Sequence, residues 1–105
     1  MDLWANGAQQ QIPPLQESEW TKGKLFTPAR KRHCLLAHIS ILHSQPTSLQ
    51  IHRQMYDALT LVITELFPER TQYGIGNISY FNDHPRTTYS DVCKVIEEAN
   101  RRLAA

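Results

Sequence analysis

Three stretches of this chain carry apolar residues at helical spacing, and prolines stop the first two of them. Leu35, Ile39 and Leu42 lie four and three residues apart. Ile51, Met55, Leu59, Val62 and Leu66 run at spacings of four, four, three and four, and Val92, Val95, Ile96, Ala99 and Leu103 repeat the rhythm near the end. Such spacing puts side chains on one face of an α-helix. Three amphipathic helices with short connections pack as a small bundle. Gln45-Pro46 ends the first stretch and Pro68 the second, because proline cannot continue a helix and the residue before it is pushed out of helical geometry. The expected fold is therefore mainly α, a small three-helix bundle. Its helices run from about Arg32 to Ser44, from a cap at Thr47 or Ser48 to Phe67, and from Tyr89 to Leu103. Leu61 and Ile63 add apolar surface on other faces of the second helix, which makes it the central one.

The intervening segments are less regular. Gly23 centres a turn between Glu17 and Phe26, with Trp20, Leu25 and Phe26 as core contacts. Thr71 to Gly76 reads as a loop. Ile78, Tyr80 and Phe81 fit either a short strand, which would allow one strand pair, or a single helical turn. Thr88 and Asp91 have the spacing of a capping box at the start of the last helix. Arg101 and Arg102 sit at its end, where the helix dipole favours cations. Residues 1–16 are rich in Gln and Pro and poor in large apolar residues. They read as a flexible or docking arm with Trp4 as its anchor, attached to a single helical domain over 17–105.

A chain of 105 residues is one domain and can bury a core without metal or disulfide support. Its two cysteines, Cys34 and Cys93, are far apart in sequence and fit reduced thiols in a cytoplasmic protein. No apolar run reaches the about 20 residues of a membrane span, so no membrane partner is expected. The N-terminus lacks the basic-then-apolar pattern of a signal peptide, so Asn77-Ile78-Ser79 reads as a chance match to a glycosylation acceptor. The net charge of +1 hides a segregation. Residues 20–56 hold six cations and no acid, whereas the flanking segments are acidic. Such asymmetry suits an anionic partner or self-complementary halves.

Several short anchors stand together: Trp20-Thr21-Lys22-Gly23, Cys34-Leu35-Leu36-Ala37, Phe81-Asn82-Asp83-His84-Pro85, Thr87-Thr88 and Val92. Over about residues 20–100 the chain resembles an uncharacterised family of small domains from actinobacteria and their phages. In that family a Trp-x-x-Gly segment precedes a Cys-Leu helix start, and an Asn-Asp turn opens the final helix. The chain departs from the pattern at Ala37-His38, where the family has Gly-Ala, and in its Pro/Gln arm. The resemblance implies a small bacterial or phage domain and no particular activity.

Four constellations are candidates for function. Lys22, Lys24, Arg30, Lys31 and Arg32, joined by Arg53, form a basic segment that suits an acidic protein or, as an alternative, nucleic acid with Trp20 and Phe26 as stacking platforms. Asn82, Asp83 and Arg86 crowd the turn before the last helix, where Asp83 is expected to bond nearby backbone donors and to pair with Arg86. Cys34, near a helix start and beside Arg30–His33, with His38 one turn on and Asp83 or Asn82 as the orienting group, would suit a thiol-dependent hydrolase or transferase. The histidines His33, His38, His43 and His52 lack any metal-ligand spacing, so neither a metal nor a cofactor is expected. The leading expectation is a non-catalytic interaction protein. Its partner would be another protein or a second copy of itself, engaged through the basic segment and the turn at 82–86.

Overall fold

The computed structural model describes residues 11–41 and 49–104, except for the side chains of Arg30, Ser40, Ile41, Leu49 and Gln50. Trp4 and the first ten residues, Leu42 and His43, and the expected turn and cap at 45–48 lie outside the described residues. Among the described residues there are four α-helices: α1 (Leu35–Ile41), α2 (Leu49–Leu66), α3 (Ile78–Asp83) and α4 (Tyr89–Ala104). Single 3-10 turns occupy Glu17–Glu19, Pro28–Arg30 and Pro68–Arg70. The fold is mainly α, a small helical bundle, as the apolar stripes require. Among the described residues strand-like pairing is confined to isolated bridges, two of them made by His33 with Trp20 and with Phe26.

α2 and α4 form the main helix pair. α4 buries Val92, Val95, Ile96 and Ala99, and α2 buries Met55, Leu59, Val62 and Ile63. Leu66 was expected in that stripe but is 45% exposed. It falls in the last turn, and Phe67 just beyond it turns inward to pack on Phe81, with ring centroids 5.2 Å apart. Leu61 also faces outward. Arg102 grips Glu65 of α2 through two nitrogens, at 2.6 and 3.2 Å, and Glu98 of its own helix at 2.9 Å.

The ends of the helices follow from their side chains. Thr88 and Asp91 form the expected capping box: the Asp91 carboxylate accepts from Thr88 N–H at 3.1 Å, and the Thr88 hydroxyl from Asp91 N–H at 3.2 Å. Arg70 reaches the same carboxylate at 2.6 Å. Ile78–Phe81 is helical: Asn77 caps it by accepting Tyr80 N–H at 2.9 Å, and Ile78, Phe81 and Asn82 turn inward. α1 starts three residues later than expected. His33 N–H donates to Glu19 O at 2.7 Å and His33 O accepts Thr21 N–H at 3.1 Å, which holds residue 33 in extended pairing.

Within the stretch read as a flexible or docking arm, residues 12–15 pack against the bundle. Ile12 and Leu15 are core residues, each 1% exposed. Polar side chains of the bundle satisfy the backbone beside them. Asn100 accepts Ile12 N–H at 2.7 Å and donates to Ile12 O at 2.8 Å. His38 bonds Pro13 O at 2.8 Å, and the Tyr89 hydroxyl donates to Leu15 O at 2.6 Å. A proline-containing segment offers few donors, and here its carbonyls find partners on three separate side chains.

Candidate functional site

The turn before α4 meets the Trp20 segment in space, and Asn82 is the junction. Its side chain is fully buried. Oδ1 accepts the Trp20 indole N–H at 2.7 Å and the Leu35 N–H at 3.0 Å. Nδ2 donates to Thr21 O and to Asp83 Oδ1, both at 3.0 Å. One amide thus ties together the Trp20 segment, the first turn of α1 and α3, and uses two donors and two acceptor sites in doing so.

Asp83 and Lys22 extend this knot. Asp83 Oδ1 accepts Gly23 N–H at 2.7 Å, sixty residues away in sequence rather than the two or three expected. Lys22 Nζ donates to His84 O at 2.7 Å and stands 5.8 Å from the centroid of the Trp20 ring. Arg86 does not pair with Asp83 among the described contacts. Its side chain is exposed, and its N–H donates to His84 Nδ1 at 3.1 Å. The anchors Trp20–Gly23, Cys34-Leu35 and Asn82–His84 therefore meet at one structural junction.

The basic segment leaves this knot as a closed loop. Thr27 N–H donates to Arg32 O at 2.9 Å, and Arg32 N–H donates to the Thr27 hydroxyl at 2.9 Å. Cys34 N–H donates to Leu25 O at 3.1 Å. Pro28–Arg30 forms the tip, where Ala29 takes a left-handed conformation at φ +63°. Lys24, Lys31 and Arg32 are exposed, and Arg32 also donates to the carbonyls of Glu17 and Trp20. The side chain of Arg30 lies outside the described residues. Trp20 faces Asn82 and Tyr89, and Phe26 lies against His33, so both aromatic rings are engaged internally.

Cys34, His38 and Asp83 are each committed to a different partner. Cys34 is 4% exposed and caps α1: its Sγ accepts Ala37 N–H at 3.4 Å. His38 takes part in a chain that sequence spacing did not reveal. Because Pro13 O only accepts, His38 Nε2 carries the proton in that bond. With that proton on Nε2, His38 Nδ1 faces His33 Nε2 at 3.0 Å. The two rings are tilted by only 8°, with centroids 5.2 Å apart and nitrogens 3.0 Å apart, so they meet edge to edge. Burial and then the neighbouring His38 lower the His33 pKa, against a smaller opposing effect of Glu19.

Beside the knot lies an open cleft of about 540 Å³, walled by Asn77, Ser79, Tyr80, Asp83, His84 and Pro85. Among the described residues no cluster of His, Cys, Asp and Glu has the form of a metal site, and no helix is long and apolar enough to cross a membrane. Comparison with known proteins finds no match among curated proteins or solved structures. A family model described as a family of unknown function, DUF6197, matches residues 14–102, which include every anchor of the knot. The chain belongs to that family.

Proposed function

We propose that the chain is a non-catalytic binding protein that engages an acidic protein surface through the loop Lys24–Arg32 and the adjoining turn Asp83–Arg86. The observation that carries this reading is the closure of the loop. Thr27 and Arg32 fasten its neck, and Gly23 and Lys22 tie it to Asp83 and His84. Exposed cations on a fixed frame lose little freedom on binding, so more of the contact energy remains as affinity. The commitments of Cys34 and His38 to structural bonds favour binding over turnover. The internal use of Trp20 and Phe26 favours a protein over single-stranded nucleic acid, which needs free aromatic platforms.

The test compares the wild-type chain with Lys24→Glu/Lys31→Glu in affinity capture from the native cell, with and without nuclease. The expected result is a stoichiometric acidic protein held by the wild type, lost in the variant and unaffected by nuclease. Recovery of the same partner by both chains would remove the loop from the interaction. Retention that disappears with nuclease would assign the loop to nucleic acid instead.

A further inference from the structure

A second exposed surface lies at 71–80, and its backbone is unusual. Gln72 and Ile75 exchange N–H···O bonds of 2.9 and 3.0 Å across a two-residue turn. The central residues, Tyr73 and Gly74, have φ of +53° and +79°. Positive φ at both positions is the type I′ turn, which favours Asn, Asp or Gly at the first of them. Glycine takes this conformation freely, whereas tyrosine there is strained. The turn is nevertheless held firmly. Gly76 N–H donates to the Thr64 hydroxyl at 3.0 Å, and a Cβ on Gly76 would come within 2.3 Å of Thr60 O. The tyrosine so displayed packs on almost nothing in its own chain, being 95% exposed, and Ile75 beside it is 61% exposed.

We infer that the chain forms a twofold dimer in which Tyr73 of each copy enters the cleft beside Tyr80 and His84 of the other. Knob and hollow adjoin: the cleft begins at Gln72, one residue from the knob. A twofold contact requires both halves of the fit on one face of each subunit. Its volume of about 540 Å³ accommodates a phenol ring with room for water. Asp83 on its wall offers a carboxylate acceptor to the incoming hydroxyl. Charge also fits a second copy. Residues 71–80 contain no Asp, Glu, Lys or Arg. Near a twofold axis a residue meets its own counterpart, so a charge there would face a like charge. Tyrosine is enriched and charge depleted at the centre of protein interfaces.

Sedimentation equilibrium of the full chain, from micromolar to millimolar concentration, tests this. The wild type is expected to dimerise. Tyr73→Gly removes the knob and relieves the strained φ, so it should keep or raise the melting temperature while weakening the dimer at least tenfold. Ile75→Lys, at an exposed position, should dimerise poorly at low salt and recover as added salt screens the apposed charges. Lys24→Glu/Lys31→Glu should leave the dimer intact, which separates this contact from the basic loop, while Asp83, His84 and Pro85 of the adjoining turn belong to the cleft wall. A wild-type chain that stays monomeric throughout would overturn the inference and leave Tyr73 to a foreign partner. An equally tight dimer in Tyr73→Gly would overturn it as well.

Discussion

Asn82 and Gly76 are single residues whose neighbours leave them no substitute. Alanine at 82 would leave the buried Leu35 N–H and the part-buried Trp20 indole N–H and Thr21 carbonyl without this partner. A buried polar group left without a partner costs about 1–3 kcal/mol, so Asn82→Ala should lose about 3 kcal/mol or more in urea unfolding. Asn82→Asp keeps the acceptors but sets a second carboxylate against Asp83, and should not rescue. At Gly76 the obstacle is the backbone of α2: an added Cβ would overlap Thr60 O at 2.3 Å and Thr64 N at 2.8 Å. Overpacking of this kind costs about 1–3 kcal/mol, and Gly76→Ala should lower the free energy of urea unfolding by that amount. None of this was legible in the sequence. The bonds of Asn82 to Trp20, Thr21 and Leu35 span 62, 61 and 47 residues, and no local spacing encodes them.

Elements differ in how openly the sequence declares them. α4 was legible throughout, because sixteen residues display several turns of the period and Thr88 and Asp91 mark its start. α3 was not, because six residues are too short to separate a helical from a strand period, and only its Asn77 cap resolves the choice. The start of α1 was misplaced because the pairing of His33 with distant backbone overrides its helical surroundings. The cap of α4 carries a measurable load. Burial pushes the Asp91 carboxyl up, but the Arg70 hydrogen bond and the Thr88 contacts outweigh it and leave its pKa lowered. Removing one partner of a buried pair costs about 3–5 kcal/mol at most sites, and this pair is partly exposed, so Asp91→Ala is expected to cost somewhat less than that range.

The same groups set the pH response of the element contacts. The folded His33 pKa lies below its unfolded value of about 6.5, so protonation favours the unfolded chain. Stability from this residue is present above that value and is lost as pH falls through the lowered folded pKa. Asp91 and Glu98 act in a lower window. Arg101 and Arg102 hold the Glu98 pKa down to about 2, so its contribution is complete above about 4.5 and fades towards 2. Urea midpoints measured between pH 8 and pH 5 should therefore decline, and His33→Gln should flatten that decline while leaving the acid limb below 4.5 in place.

At the scale of the whole molecule, three separate stretches of chain converge on the Asn82 knot, and a fourth, residues 11–16, seals the bundle from outside. The Gln- and Pro-rich composition of the first sixteen residues hid Ile12 and Leu15, since two core side chains barely alter it. Burying such a side chain is worth about 1.5–3 kcal/mol. A chain beginning at Glu17 should therefore unfold at markedly lower urea than one beginning at Gln11, and differential scanning calorimetry would show the same order. The basic segment was legible as charge, but its closure by Thr27 and Arg32 was not, nor was the cleft beside Tyr80, because both depend on contacts across the fold.

The knot itself is tested most directly by a double-mutant cycle between Trp20→Phe, which removes the indole donor together with part of the bicyclic ring, and Asn82→Ala, with stability read from urea unfolding. Residues in one hydrogen-bonded network couple by about 0.5–3 kcal/mol. Coupling of at least about 1 kcal/mol is expected here, because loss of Asn82 already removes what Trp20→Phe would break. Strictly additive effects, or an Asn82→Ala chain as stable as the wild type, would contradict a fold held together at this residue.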